Sequence, residues 1–191
     1  AAFTNLTVDA VGAKQLTASA DGLASAVSDN FEITKKPLTA TITASNKVYD
    51  GTTVATITGR TLVGVILGDD VITNEDGTAT FADANVGDDK TVLVVDITII
   101  GIDAVNYDYD GTATGTADIA PLTITVTPNA GQTKVYGDAD PVFAYAFDPT
   151  LISPDTFTGA LSREAGEDVG TYVYALGTLE DGLDNYSLNL V

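Results

Sequence analysis

The sequence predicts an all-β chain, built as antiparallel sandwich modules in tandem. Two observations carry this. Short runs alternate apolar and threonine residues, separated by Gly, Asp, Asn and Pro clusters, and no segment has helical periodicity with caps. One of these runs, with the turn that follows it, recurs along the chain, as expected of modules in series.

The elements follow in order. "KQLTASADGLASAVSDNFEI" reads as a hairpin around Asp21-Gly22. "LTATITAS" (38–45) and "LTITVTP" (122–128) are strands with threonine on the solvent face. "TVLVVDITII" (91–100) is a longer and more buried β-branched run, and "GTYVYALG" (170–177) and "NYSLNLV" (185–191) alternate again.

The recurring unit opens with Pro-Leu-Thr, runs as a strand and ends in Lys-Val-Tyr before a turn. It occurs as "PLTATITASNKVYDG" (37–51) and "PLTITVTPNAGQTKVYG" (121–137). Tyr49 and Tyr136 are 87 positions apart, about the length of a small sandwich domain. "NVG" at 85–87 then answers to "DVG" at 168–170, and "VNY" at 105–107 to "DNY" at 184–186. The expected organisation is therefore 1–34, the closing half of a preceding module; 35–120, a complete module; and 121–191, a module that lacks its last strand. The chain reads as an excised piece of a longer one. "TKKP" (34–37) and "DIAP" (118–121) are short, proline-terminated joints, which predict a semi-rigid row.

Composition narrows the function. The 45% hydrophobic content supports real cores, and the scarcity of aromatics, 7%, suggests several thin ones. A net charge of −19 would repel nucleic acid and anionic membrane surfaces. No apolar run approaches the length of a membrane-spanning helix. With no Cys and no His, disulfides, thiol chemistry and zinc sites are not expected. The acids are 22 Asp against 5 Glu, a skew that suits turns or hard-cation ligation.

"ITASNKVYDGTTVATITG" (42–59) resembles the opening of the YDG domain of bacterial adhesins. "LTITVTPNAGQTKVYGDADPVFAYAF" (122–147) is similar to the MBG domain, a mostly bacterial immunoglobulin-like module. Lys134, Tyr136, Gly137, Pro141, Phe143, Gly170, Asn185 and Tyr186 fall on that second pattern. The first 34 residues resemble the closing strands of an immunoglobulin-like repeat. The resemblance implies tandem immunoglobulin-like antiparallel β-sandwiches in an elongated array, extracellular or on the bacterial cell surface. It brings no catalytic residues.

The leading expectation is a non-catalytic spacer or stalk of a large adhesin, whose partners are the neighbouring modules of its own chain. Lys47, Tyr49, Asp50, Gly51, Lys134, Tyr136, Gly137, Tyr107 and Tyr186 are expected to be framework. In the corner, Lys47 and Tyr49 share one strand face, so Val48 is expected in the core, with the Tyr49 ring on a neighbouring loop. The alternative is direct binding of a glycan or protein through Tyr107 and Tyr109, or through Phe143, Tyr145 and Phe147. "NYDYDG" matches the first half of a calcium loop at Asn106, Asp108 and Asp110, but Ala117 stands where the bidentate Glu of an EF-hand belongs. Calcium is thus a candidate ligand and not a required one. "GDD" (68–70 and 87–89), "NED" (74–76) and "EDGLDN" (180–185) are further acidic loops. An isopeptide bond would have Lys47, Lys90 or Lys134 as its donor. The Thr-x-Thr runs are too short for an ice-binding face on twisted strands. No pair of carboxylates is placed in a pocket by the sequence, so no enzyme is expected.

Overall fold

The computed structural model describes Val8, residues 10–179 and residues 182–191. Glu180 and Asp181, the first two acids of the 180–185 loop, lie outside the described residues. Among the described residues the structure is strands and turns, with one 3₁₀ turn at Ala104–Asn106.

The largest sheet has six strands. Its path runs Thr78–Phe81, Gly87–Val95, Ala113–Ala120, Thr39–Ala44 and Ile57–Val63, with Lys47–Val48 beside Ala113–Ala120. A three-stranded sheet is centred on Leu122–Pro128, between Tyr145–Asp148 and Tyr186–Leu190. Packing groups the chain into two compact units. The first is Ala1–Thr43, Ile57–Thr80 and Leu93–Gly115; the second is Ala44–Thr56, Phe81–Val92 and Thr116–Val191.

In the first unit, Gly12–Lys14 pairs antiparallel with Phe31–Ile33, and Thr17–Ala18 with Ala26–Val27. The inner pair closes around Asp21-Gly22, where Gly22 takes the positive φ of 78° that this turn demands. Lys36–Pro37 pairs in parallel with Tyr107–Asp108, and Thr41 pairs in parallel with Thr114. Leu38, Val71 and Tyr107 form its core cluster, with Leu62, Val65, Ile99, Ala104 and Tyr109 packed against them.

In the second unit, Leu122–Pro128 takes Tyr145–Asp148 antiparallel on one side and Tyr186–Leu190 parallel on the other. Lys47–Val48 runs parallel to Ile119–Ala120. Val92, Ile119, Ile124, Val126 and Leu179 are fully buried there.

The strands expected at 38–45, 122–128 and 185–191 and the threonine faces are present, whereas of 170–177 only Tyr174–Ala175 is a strand and the run at 91–100 breaks between Val95 and Ile99. In Thr39–Ala44, Ala40 and Ile42 are buried and the threonines exposed; in Leu122–Pro128, Ile124 and Val126 are the buried pair. Two further features differ from expectation. The run at 91–95 buries one face only, with Val92 and Val94 inside and Leu93 40% exposed. The pairing is also mixed, because each module's opening strand takes a parallel partner from the module's far end. Alternation reports which face is buried and carries no information on strand direction. Parallel neighbours need a long crossover, and here most of a module supplies it.

Ile124 is fully buried at the centre of the three-stranded sheet. Ile124→Ala should cost about 2–5 kcal/mol through lost burial and the cavity left behind. A urea unfolding curve would show this as a lower midpoint at unchanged slope.

Candidate functional site

The tyrosine of each Asn-Tyr pair sits at a strand end with its ring inside and its hydroxyl at the rim. Tyr107 Oη donates to Asp69 Oδ2 at 2.6 Å and accepts the Ile66 N–H at 2.9 Å. Tyr186 Oη donates to Asp155 Oδ2 at 2.7 Å and accepts the Ile152 N–H at 2.9 Å. Each clasped loop is also closed on itself: Asp69 N–H donates to Ile66 O, and Asp155 N–H to Ile152 O. One hydroxyl thus serves a backbone donor and a carboxylate in the same way in both modules.

In the second unit this clasp is met by the Lys-Val-Tyr corner. The Tyr49 ring stands edge-on to Tyr186, with centroids 5.4 Å apart, and its hydroxyl donates to Asp155 at 3.3 Å. Ile152 lies over Gly51, so close that a Cβ on that glycine would come within 2.8 Å of Ile152 Cγ2. Beside it, Asn185 Oδ1 accepts the Val86 N–H at 2.8 Å, and its amide nitrogen donates to Asn85 Oδ1 at 3.1 Å. Burial pushes the Tyr186 hydroxyl up, and its bond to Asp155 adds to that, from an ordinary 10.0 to about 12. Tyr49 is raised for the same reasons, burial first and then the Asp155 charge.

Lys47 and Asp50 build the corner itself. Lys47 Nζ donates to Asp50 Oδ1 at 2.8 Å, to Thr52 O at 2.7 Å and to Val54 O at 3.1 Å, and sits 5.5 Å from the centre of the Phe81 ring. Burial alone would raise the Asp50 carboxyl. The bonds from Lys47 and from Thr52 outweigh it and hold the group below the usual range.

Residues 34–116 match the YDG domain, and residues 124–191 match the MBG domain of the YGX type. The chain carries a YDG domain followed by an MBG domain. No curated protein and no solved structure gives a significant match.

In the YDG domain, Tyr49 is buried and Val48 is 51% exposed, which reverses the expected placing of Val48. Strand alternation puts 47 and 49 opposite 48 without saying which side faces inward. Here Tyr49 finds both a ring and a carboxylate, and it buries more apolar surface than valine would.

In the MBG domain, Lys134 reaches different partners. It pairs with Glu167 at 2.8 Å and Asp140 at 3.2 Å, and Arg163 binds the same two acids. Glu167 is lowered chiefly by its bond from Lys134, and Asp140 chiefly by its bond from Arg163. Arg163 also stacks 4.6 Å from the centre of the Tyr172 ring. Next to this network is a pocket of about 520 Å³, lined in part by Tyr136, Phe143, Val169, Tyr172 and Tyr174. Tyr136 is 70% exposed, and Gly137 turns the chain with φ of 88°.

The residues singled out for calcium are not gathered around one point. Asn106 Oδ1 accepts the Val11 N–H, Asp108 lies in a strand with its side chain exposed, and Asp110 Oδ1 caps its own turn through Thr112. Among the described residues no group of three or more acids is arranged to hold a metal ion. Of the aromatics singled out for binding, Tyr107 is buried and clasped, and Tyr109 donates to Thr112 O. Phe143 is buried against Tyr174, and Tyr145 and Phe147 pack on Phe157. Of the clasped acids, Asp69 was singled out only within the acidic loop 68–70, and Asp155 was not singled out in the sequence. Their shared spacing, Ile followed three residues later by Asp, was the available signal.

Tyr186→Phe leaves the Ile152 N–H without its partner and Asp155 with only the longer bond from Tyr49, and should cost about 1–3 kcal/mol, read from chemical denaturation. The native chain holds the Tyr186 proton more tightly than the unfolded chain does. Its contribution is complete below pH 10.0 and is lost as pH climbs through about 12. Thermal melts of the parent should therefore fall across that window, and Tyr186→Phe should flatten the fall. Gly51→Ala should destabilise too, since it forces a Cβ onto Ile152 at a φ of 74°.

Proposed function

We propose that the chain is a non-catalytic, extracellular spacer or stalk of a large bacterial adhesin. Both domain types occur in bacterial surface proteins. The observation that carries the reading is the repeated clasp: the same polar geometry in each module holds a loop to its own strand. In the MBG domain it also presents that loop to the Tyr49 corner. Repeating such geometry from module to module adds length by addition. The charge of −19 keeps a long repetitive surface protein soluble. Folding does not require calcium on this reading, because the carboxylates of the clasps and corners are engaged by tyrosine, threonine and lysine.

A second reading, direct binding of a glycan or host protein, is favoured by the MBG pocket, where Tyr136 and Tyr172 offer ring surface beside charged groups. This replaces the aromatic sets suggested by the sequence.

Small-angle scattering separates a row from a globule. A single compact globule of this length would have a radius of gyration of about 16 Å. The spacer reading expects a clearly larger value and a rod-like cross-section; a value at the globular figure would sink it. Saturable binding on a glycan array would promote the second reading. Calcium should shift the melting temperature little; a rise of tens of degrees would recast the acidic loops as ligand sets.

A further inference from the structure

The two modules repeat more than their clasps. The asparagine before each clasping tyrosine accepts the N–H of a valine in a Val-Gly step. Asn185 takes it from Val86 at 2.8 Å, and Asn106 takes it from Val11 at a longer 3.5 Å. In the sequence, Val86-Gly87 lies 36 residues beyond Asp50-Gly51, within the same YDG domain as the corner. Tyr49 and Val86 therefore form a socket, and the Ile152–Asp155 loop with Asn185 and Tyr186 forms the plug that fills it.

The MBG domain carries the same socket residues. Tyr136-Gly137 is the counterpart of Tyr49, and Val169-Gly170 is the counterpart of Val86-Gly87. Both halves line one pocket. Nothing among the described residues covers them: Tyr136 is 70% and Val169 93% exposed, against 9% for Tyr49 under its plug. The same motif is buried where a plug meets it and bare where none does.

We propose that the Tyr136–Val169 face is a docking socket for the next module of the array, a β-module with an Asn-Tyr pair and an Ile-x-x-Asp loop. Its asparagine accepts the Val169 N–H. Its tyrosine-clasped loop lies over Tyr136 and Gly137, as Ile152 lies over Gly51. The occupant follows from repetition of a junction present in the same chain. The inference rests on the array reading, but the two fail separately: an extended row can exist with its joints undocked.

The protein contains no tryptophan, so Tyr136→Trp creates a single reporter. The full chain carrying it is compared with the same chain extended after Val191 by a second copy of residues 113–191. In the extension the strand Ala113–Ala120 leads into a second MBG domain, as it leads into the first. Docking predicts blue-shifted emission and loss of acrylamide quenching in the extended chain. It also predicts exchange of the Val169 amide slowed by about tenfold or more. Asn185→Ala and Asp155→Ala in the added copy alone should reverse all three effects. A larger calorimetric unfolding enthalpy reports whether the added copy is folded. With that copy folded, an unchanged tryptophan signal and an unprotected Val169 overturn the proposal. If the copy does not fold, the full chain decides. Asn185→Ala should then release the Val86 amide to fast exchange, and continued protection would overturn the socket's asparagine rule. Quenching of the tryptophan reporter by glycans, equal in both chains, would overturn it in favour of a sugar site.

Discussion

A phenol at the rim of a β-module can satisfy one donor and one acceptor at once, and much of this chain is arranged around that capacity. Tyr107 and Tyr186 each accept an isoleucine N–H and donate to an aspartate three residues further on. Without the hydroxyl, a half-buried loop would keep an unpaired amide and its carboxylate would lose its shortest bond, both costly away from water. With it, an irregular loop becomes a firm surface. In the MBG domain that surface meets Tyr49, whose ring and hydroxyl are used together.

The lysines show how one motif is adapted to two settings. Lys47 turns back on its own corner and bonds Asp50 and the carbonyls of Thr52 and Val54. Lys134 reaches away to Glu167 and Asp140, where Arg163 completes a four-membered network. These acids are exposed, so the network contributes little to stability and chiefly fixes the geometry of the pocket wall. In both cases the aspartates work as hydrogen-bond acceptors in turns. Turn capping is one use the chain makes of Asp: Asp50 and Asp110 each bond the amide and hydroxyl of a threonine two residues on.

Much of this was legible in the sequence, because it depends on local rules. Period-2 alternation placed Ile42, Ile124 and Val126 inside and the threonines outside, and Asp21-Gly22 announced its hairpin. The motifs Lys-Val-Tyr, Val-Gly and Asn-Tyr recur in the same order along the chain, and two domain families, YDG and then MBG, match it in that order. These features need only neighbours along a strand or within a turn.

What the tertiary structure decided involves partners far apart in the chain. Alternation could not say whether Val48 or Tyr49 faces inward; Tyr186 decides it from the far end of the chain. It could not give strand direction either, and the parallel pairing of Leu122–Val126 with Tyr186–Leu190 appears only once the module closes. Nor could it separate Tyr49 from Tyr136, which share one motif and differ in burial, 9% against 70%. A motif records what a side chain can do. Whether it does so depends on the surface brought against it, and that is set by packing between segments whose separation the sequence does not encode.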